Sequence, residues 1–88
     1  MKTAPRDAVN DVEPRVRKIF VELFRIRPAE LDDEARRGQL VGWDSLGHLD
    51  LVSELETEFS VTIDPESALE IDTFGAAKRI LASLLGNA

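Results

Sequence analysis

Ser45 follows Asp44 and precedes His48 by three positions, and these are the residue types from which a nucleophile, its base and an orienting acid are built. A hydrolase made from them also needs an oxyanion hole and a substrate pocket, and a small helical chain has little volume for either. On a helical wheel His48 falls beside the apolar arc, with Asp44 one turn before it, which is the placement of a packing residue. Hydrolysis is therefore rejected. No Cys is present, which excludes a disulfide framework, thiolate metal sites and a cysteine nucleophile. Asp32-Asp33-Glu34 gathers three carboxylates, but the D-x-D-x-D-G spacing of a calcium loop is absent, so a solvated loop is the better reading. Ser45 has a different use open to it. At the first turn of a helix, free N–H groups and the positive end of the dipole favour a phosphate ester. The alternative is that Asp44 or Ser45 only caps the helix.

The elements that must hold these residues follow from apolar periodicity. Val12, Val16, Ile19, Phe20, Leu23 and Phe24 fall on one helical stripe. Pro14 fits only the first turn, so helix 1 is expected to start near Asp11–Glu13. Arg25-Ile26-Arg27 before Pro28 is a stop, with cations suited to a helix C-terminus. Pro28 to Trp43 is a long connection with isolated apolar residues, Leu31, Leu40 and Val41, and its leucines are expected to pin it to the helices. Asp44-Ser45 opens helix 2, whose pattern runs to Phe59. Ser60 to Ile63 is a short link, and Asp64-Pro65-Glu66 opens a short helix to about Glu70. Asp72-Thr73 caps the last helix, with Phe74, Ala77, Ile80, Leu81 and Leu84 on one face and Gly86 just past its end. The period of two that marks strands is missing outside Ser60–Ile63. The expectation is an all-α four-helix bundle with a long loop between helices 1 and 2 and a short third helix. It forms one domain over residues 1–88, with a frayed lead-in at 1–11 and the bundle over 12–85.

Composition narrows the partners. A chain of 88 residues with 43% hydrophobic and 32% charged residues is globular in character. No apolar run approaches the roughly 20 residues that cross a bilayer, and the N-terminus has no apolar core of a signal peptide. A cytoplasmic monomer without membrane insertion is expected. Net charge is −6, which argues against nucleic acid. The charge is also lopsided: residues 1–43 carry +1 and residues 44–88 carry −7, with no Lys or Arg between Asp44 and Asp72. Such a field attracts basic protein surfaces.

Helix 2 concentrates that charge. Leu49, Leu51, Val52, Leu55 and Phe59 read as its core arc, and Asp50, Glu54 and Glu58 form a stripe at i, i+4, i+8 on the other side. Like charges at this spacing cost about 0.2–0.5 kcal/mol per pair in an isolated helix. No Lys or Arg of helix 2 offsets them, so a docking face stands level with an ordinary solvated one. Leu46 lies off the core arc at the head of the stripe, where an apolar anchor for a partner would sit. Arg15, Lys18 and Arg25 on the outer side of helix 1 are interleaved by Glu22 and read as a solvated face.

Gly42-Trp43-Asp44-Ser45-Leu46, followed by Leu49-x-Leu51-Val52-x-x-Leu55-Glu56-x-Glu58-Phe59, resembles the acyl carrier protein family. The resemblance continues through Val61-x-Ile63 and Asp64-Pro65-Glu66 and covers about Val12 to Leu85. It implies that Ser45 carries a covalent 4′-phosphopantetheine arm derived from coenzyme A, whose thiol holds acyl groups as thioesters. It also implies a carrier, not an enzyme. The implied partners are a phosphopantetheinyl transferase and acyl-activating, acyltransferase or synthase enzymes with basic docking patches. Asp44, Leu46, Asp50 and Glu56 fall on the family's partner surface, which Glu54 and Glu58 extend on the wheel. Val52, Leu55, Ile63, Ala68 and Ile71 are the residues that would line an acyl-chain pocket. Gly47, Ser53 and Thr57 depart from the pattern of fatty-acid carriers and point away from housekeeping fatty-acid enzymes. Asp44 looks more like acyl than peptidyl carriers, and Trp43 and His48 look similar to discrete carriers that serve specialised lipid or secondary-metabolite pathways. The competing reading is an unmodified acidic helical adaptor that docks basic partners through helix 2.

Overall fold

The computed structural model describes residues 12–86; the lead-in expected over residues 1–11 lies outside them. Four helices form: α1 (Val12–Phe24), α2 (Ser45–Phe59), α3 (Pro65–Glu70) and α4 (Phe74–Gly86). Among the described residues there is no strand, only an isolated bridge between Arg36 and Thr73. This is the expected all-α bundle with a long first loop and a short third helix.

Each helix end has a local cause. α1 stops at Phe24 because Arg25 takes a left-handed backbone (φ +58°), so the Arg25–Arg27 cations lie beyond the last turn and not within it. Ser60 ends α2 in the same way (φ +54°), its N–H donating to Glu56 O. Pro65 takes the first position of α3, and Thr73 Oγ1 accepts from the Ala76 N–H (3.0 Å) at the start of α4. Gly86, placed past the end by its sequence, is the final residue of α4.

Val16 and Phe20 of α1, Leu51 and Leu55 of α2, and Phe74 and Leu81 of α4 make the centre of the core, with Ile71 between α3 and α4. Leu49 does not join them. It is 67% exposed, correcting its placement on the core arc. At 100° per residue it stands about 100° from the centre of the arc that His48, Leu51, Val52, Leu55 and Phe59 define. The largest fully buried side chain is instead Trp43, the last residue of the long loop. Its ring meets Phe20 edge-on at 4.9 Å and stacks on Phe24 at 5.8 Å, which are favourable aromatic geometries.

The long loop is fastened along its length. A 3₁₀ turn (Pro28–Glu30) begins it, Leu31 is buried and Leu40 half-buried, as the pinning role requires. The Arg17 guanidinium donates to Pro28 O and Leu31 O, both at 2.8 Å. Further on, Phe74 N–H donates to Ala35 O (2.9 Å) and Gly75 N–H to Asp33 O (3.0 Å). Asp33 also pairs with Lys78 at 2.6 Å, so the acidic run of this loop helps dock α4. A well-anchored loop delivers Trp43, and with it Asp44 and Ser45, to a defined place.

Candidate functional site

The head of α2 settles which residue caps the helix. Asp44 has extended backbone, and its Oδ1 accepts the Gly47 N–H at 2.9 Å. Ser45 is the first helical residue, exposed, with no intramolecular hydrogen bond to its hydroxyl among the described residues. Its Oγ is free for chemistry at the positive end of a 15-residue helix. A phosphate ester fits there: the local N–H dipoles point toward it and no side chain encloses it.

Backbone proximity shapes the turn leading to Ser45. Gly42 adopts φ +92°, a conformation that costs residues with a Cβ. Its carbonyl oxygen lies directly against the Gly47 Cα, and a Cβ on Gly47 would overlap that oxygen and stand 3.2 Å from the Phe24 ring. Gly47 is thus required for a steric reason, whatever it costs in helix propensity.

His48 joins three elements. Its Nδ1 accepts the Trp43 Nε1–H (3.0 Å), and its Nε2–H donates to Ala68 O (2.8 Å), tying the loop through α2 to α3. The packing role expected of His48 is what this geometry supplies. The two bonds coexist only on a neutral ring, because a proton on Nδ1 would face the indole donor. Burial lowers the His48 pKa below the usual histidine value, the bond to Ala68 O opposes that shift, and Arg37 nearby adds to it. Because the folded pKa is the lower one, the unfolded chain binds more protons just below pH 6.5, so stability rises with pH there. The contribution is complete above about pH 6.5 and is lost as pH falls through the folded value. We expect the melting temperature to fall between pH 7.5 and 5.5, and the fall to flatten in His48→Gln.

The acidic residues of α2 divide by environment. Asp50 and Glu54 are exposed and outward-facing. Glu58 is paired: Arg15 Nε donates to its Oε2 and Arg15 Nη2 to its backbone O, each at 2.8 Å. An offsetting cation, missing from α2 itself, therefore comes from α1. Glu56 accepts the Ile63 N–H at 2.7 Å and holds the link between α2 and α3. Leu46 is 75% exposed beside Ser45, and the exposed Leu49 one turn on enlarges the apolar spot. Leu55, Ile63 and Ile71 belong to the hydrophobic core and Val52 and Ala68 pack against it, while His48 bonds from α2 to Ala68 of α3. Among the described residues, no three His, Cys, Asp or Glu side chains are grouped to hold a metal. Among the same described residues, no helix is long and apolar enough to cross a membrane.

A loop-anchored helical bundle that presents a free serine hydroxyl at the head of an acidic helix is the architecture of a carrier domain. Residues 14–86 match the model of the phosphopantetheine attachment site family. The chain is similar to an acyl carrier protein of Phenylobacterium zucineum, 35% identical over 78 residues that make up 89% of this chain and 99% of that protein. It is also similar to the non-reducing polyketide synthase pkiA of Emericella nidulans, 31% identical over 80 residues, 91% of this chain but 3% of that much longer protein. The chain belongs to the acyl carrier protein family. It is a carrier and not a catalyst, and the cofactor of its domain is covalent 4′-phosphopantetheine. Proteins of this family work with a phosphopantetheinyl transferase and with synthase or acyltransferase enzymes.

Proposed function

We propose that this chain carries acyl intermediates as thioesters on an arm attached to Ser45, and hands them to enzymes of a specialised lipid or secondary-metabolite pathway. The observation that carries this reading is the division of labour at the head of α2. Asp44 does the capping, which leaves the Ser45 hydroxyl exposed and unengaged. In the loading step Ser45 Oγ forms a bond to the pantetheine-bearing phosphorus of coenzyme A. The diphosphate bond to the other phosphorus breaks, adenosine 3′,5′-bisphosphate leaves, and the serine proton passes to a base on the transferase. The arm supplies a thiol, which this chain has no Cys to provide. The likeness to a polyketide synthase supports a secondary-metabolite role. The cytoplasm, where coenzyme A is available, is the compartment this reading implies, with the carrier acting as a monomer.

Partner recognition on this reading runs along the outer face of α2. Leu46 is the apolar anchor, and Asp44, Asp50 and Glu54 supply accessible negative charge for basic patches. Glu56 and Glu58 add to the field, but their carboxylates are engaged within the fold. A long acyl chain lodged between α2 and α3 would meet the His48–Ala68 bond that ties the two helices.

Incubation with coenzyme A and a broad-specificity phosphopantetheinyl transferase should raise the intact mass by one phosphopantetheine and create one titratable thiol. Ser45→Ala should abolish both. If no transferase modifies the chain, the unmodified adaptor reading takes precedence. Replacing Asp50 and Glu54 with Lys should slow loading, most clearly at low ionic strength. Equal rates in low salt would remove these two acids from the docking surface.

A further inference from the structure

Between α1 and α2 lies a groove of about 200 Å³, lined by Ile19, Glu22 and Leu23 of α1 and by Glu54 of α2. We propose that this groove takes an arginine side chain from a basic partner protein, with its methylene stem on Ile19 and Leu23 and its guanidinium between Glu22 and Glu54. Docking then extends from the outer face of α2 onto α1.

The fold supplies its own example of the occupant one turn away. Arg15 crosses from α1 to α2, where its Nε–H donates to Glu58 Oε2 and its Nη2–H to Glu58 O, each at 2.8 Å. Its guanidinium lies 4.3 Å from the centre of the Phe59 ring. One turn along each helix, Ile19 takes the place of Arg15 and Glu54 that of Glu58. Glu54 therefore keeps the carboxylate of this pattern while α1 offers it no cation, and Glu22 adds a second carboxylate from the facing wall. Among the described residues neither Glu22 nor Glu54 forms an ion pair, although Lys18 stands one turn before Glu22.

Size and surface point the same way. Small-molecule sites run to about 300–1,000 Å³, and this smaller groove suits one long side chain. Its floor is apolar, with Ile19 8% exposed and Leu23 half-buried, while both carboxylates are exposed at its edges. Arginine matches both features: its stem covers apolar surface, and its planar fork binds carboxylates and is less strongly hydrated than an ammonium. Two carboxylates across a groove repel each other, and a cation arriving between them turns that repulsion into attraction. Glu54 also follows Asp50 by one turn on α2, so one basic surface can engage the groove and the outer face of that helix together.

The test uses the unmodified full chain, so a chain that cannot be loaded at Ser45 and a groove that does not bind are separate results. The probe is Nα-acetyl-arginine amide, titrated at constant ionic strength into chain labelled with ¹³C at its Ile and Leu methyls. The Ile19 and Leu23 methyl signals are expected to shift and saturate, with those of Leu46 and Leu49 moving less. The neutral isostere Nα-acetyl-citrulline amide should leave them in place. Glu22→Gln and Glu54→Gln, both at exposed positions, should each weaken arginine binding by about threefold, the scale of an exposed ion pair. An equal response to citrulline, unchanged binding in either variant, larger shifts at Leu46 and Leu49, or no saturable shift would overturn the proposal.

Discussion

Trp43→Ala is expected to remove about a third or more of the domain's stability, more than any other single substitution proposed. Trp43 is fully buried, touches Phe20 and Phe24, and donates to His48 Nδ1. Truncating a buried Trp to Ala costs about 3–5 kcal/mol in lost transfer energy and unfilled cavity. A domain of this size has a total stability of roughly 5–10 kcal/mol, so the loss is a large fraction of the whole. The loss also spreads along the chain, because the indole is the last anchor of the loop that delivers Asp44 and Ser45. Urea titration followed by far-UV circular dichroism checks this, since the variant has no Trp to report by fluorescence. Trp43→Phe keeps most of the ring volume but leaves His48 Nδ1 without a donor, a cost of about 1–3 kcal/mol. If Trp43→Ala shifts the midpoint no more than Trp43→Phe does, the indole is not the keystone described above.

Gly47→Ala is the second large effect, and its sign opposes helix propensity. In an exposed helix, Ala in place of Gly gains up to about 1 kcal/mol. Here the added Cβ overlaps the Gly42 carbonyl oxygen, and that oxygen belongs to backbone held at φ +92°. Neither side can yield as a flexible side chain would. Overpacking of this kind costs about 1–3 kcal/mol, and we place Gly47→Ala at the upper end, with a melting temperature lower by about 12–24 °C. Loading at Ser45 should slow as well, because relief of the overlap displaces the first turn of α2. A variant as stable as the parent, loaded at the parent rate, would show that the turn relaxes freely.

Much of this architecture was legible in residue spacing. The α1 stripe, the proline and acid at the start of α3, and the Thr73 cap all rest on local rules that the folded chain obeys. So does the off-core position of Leu46, which depends only on its angle around α2. What escaped the sequence were relations between segments far apart in the chain. Leu49 looks like core by residue type, and its angle on the helix is what exposes it. Glu58 reads as unpaired until α1 brings Arg15 across to it. Trp43 sits in a loop with no periodicity, so nothing local marked it as the centre of the aromatic core. Gly47 reads as a weak spot in a helix, and the contact that requires it is with the Gly42 oxygen in the preceding loop. The candidate site shows the same division. Asp44-Ser45 was visible as a cap or an anchor, and deciding which of the two caps the helix needed the hydrogen bond from Gly47 to Asp44.

Ser45 as the covalent anchor is the claim on which the rest depends, and peptide mapping of the native protein tests it most directly. The protein is isolated from the cells that make it, under conditions that spare thiols and thioesters, and digested for tandem mass spectrometry. The fragment spanning Trp43 to Leu46 is expected to carry a phosphopantetheine, free or acylated, with fragment ions that assign it to Ser45. A population in which that fragment has only its amino-acid mass, or in which the arm maps to another hydroxyl such as Ser53 or Ser60, would contradict it.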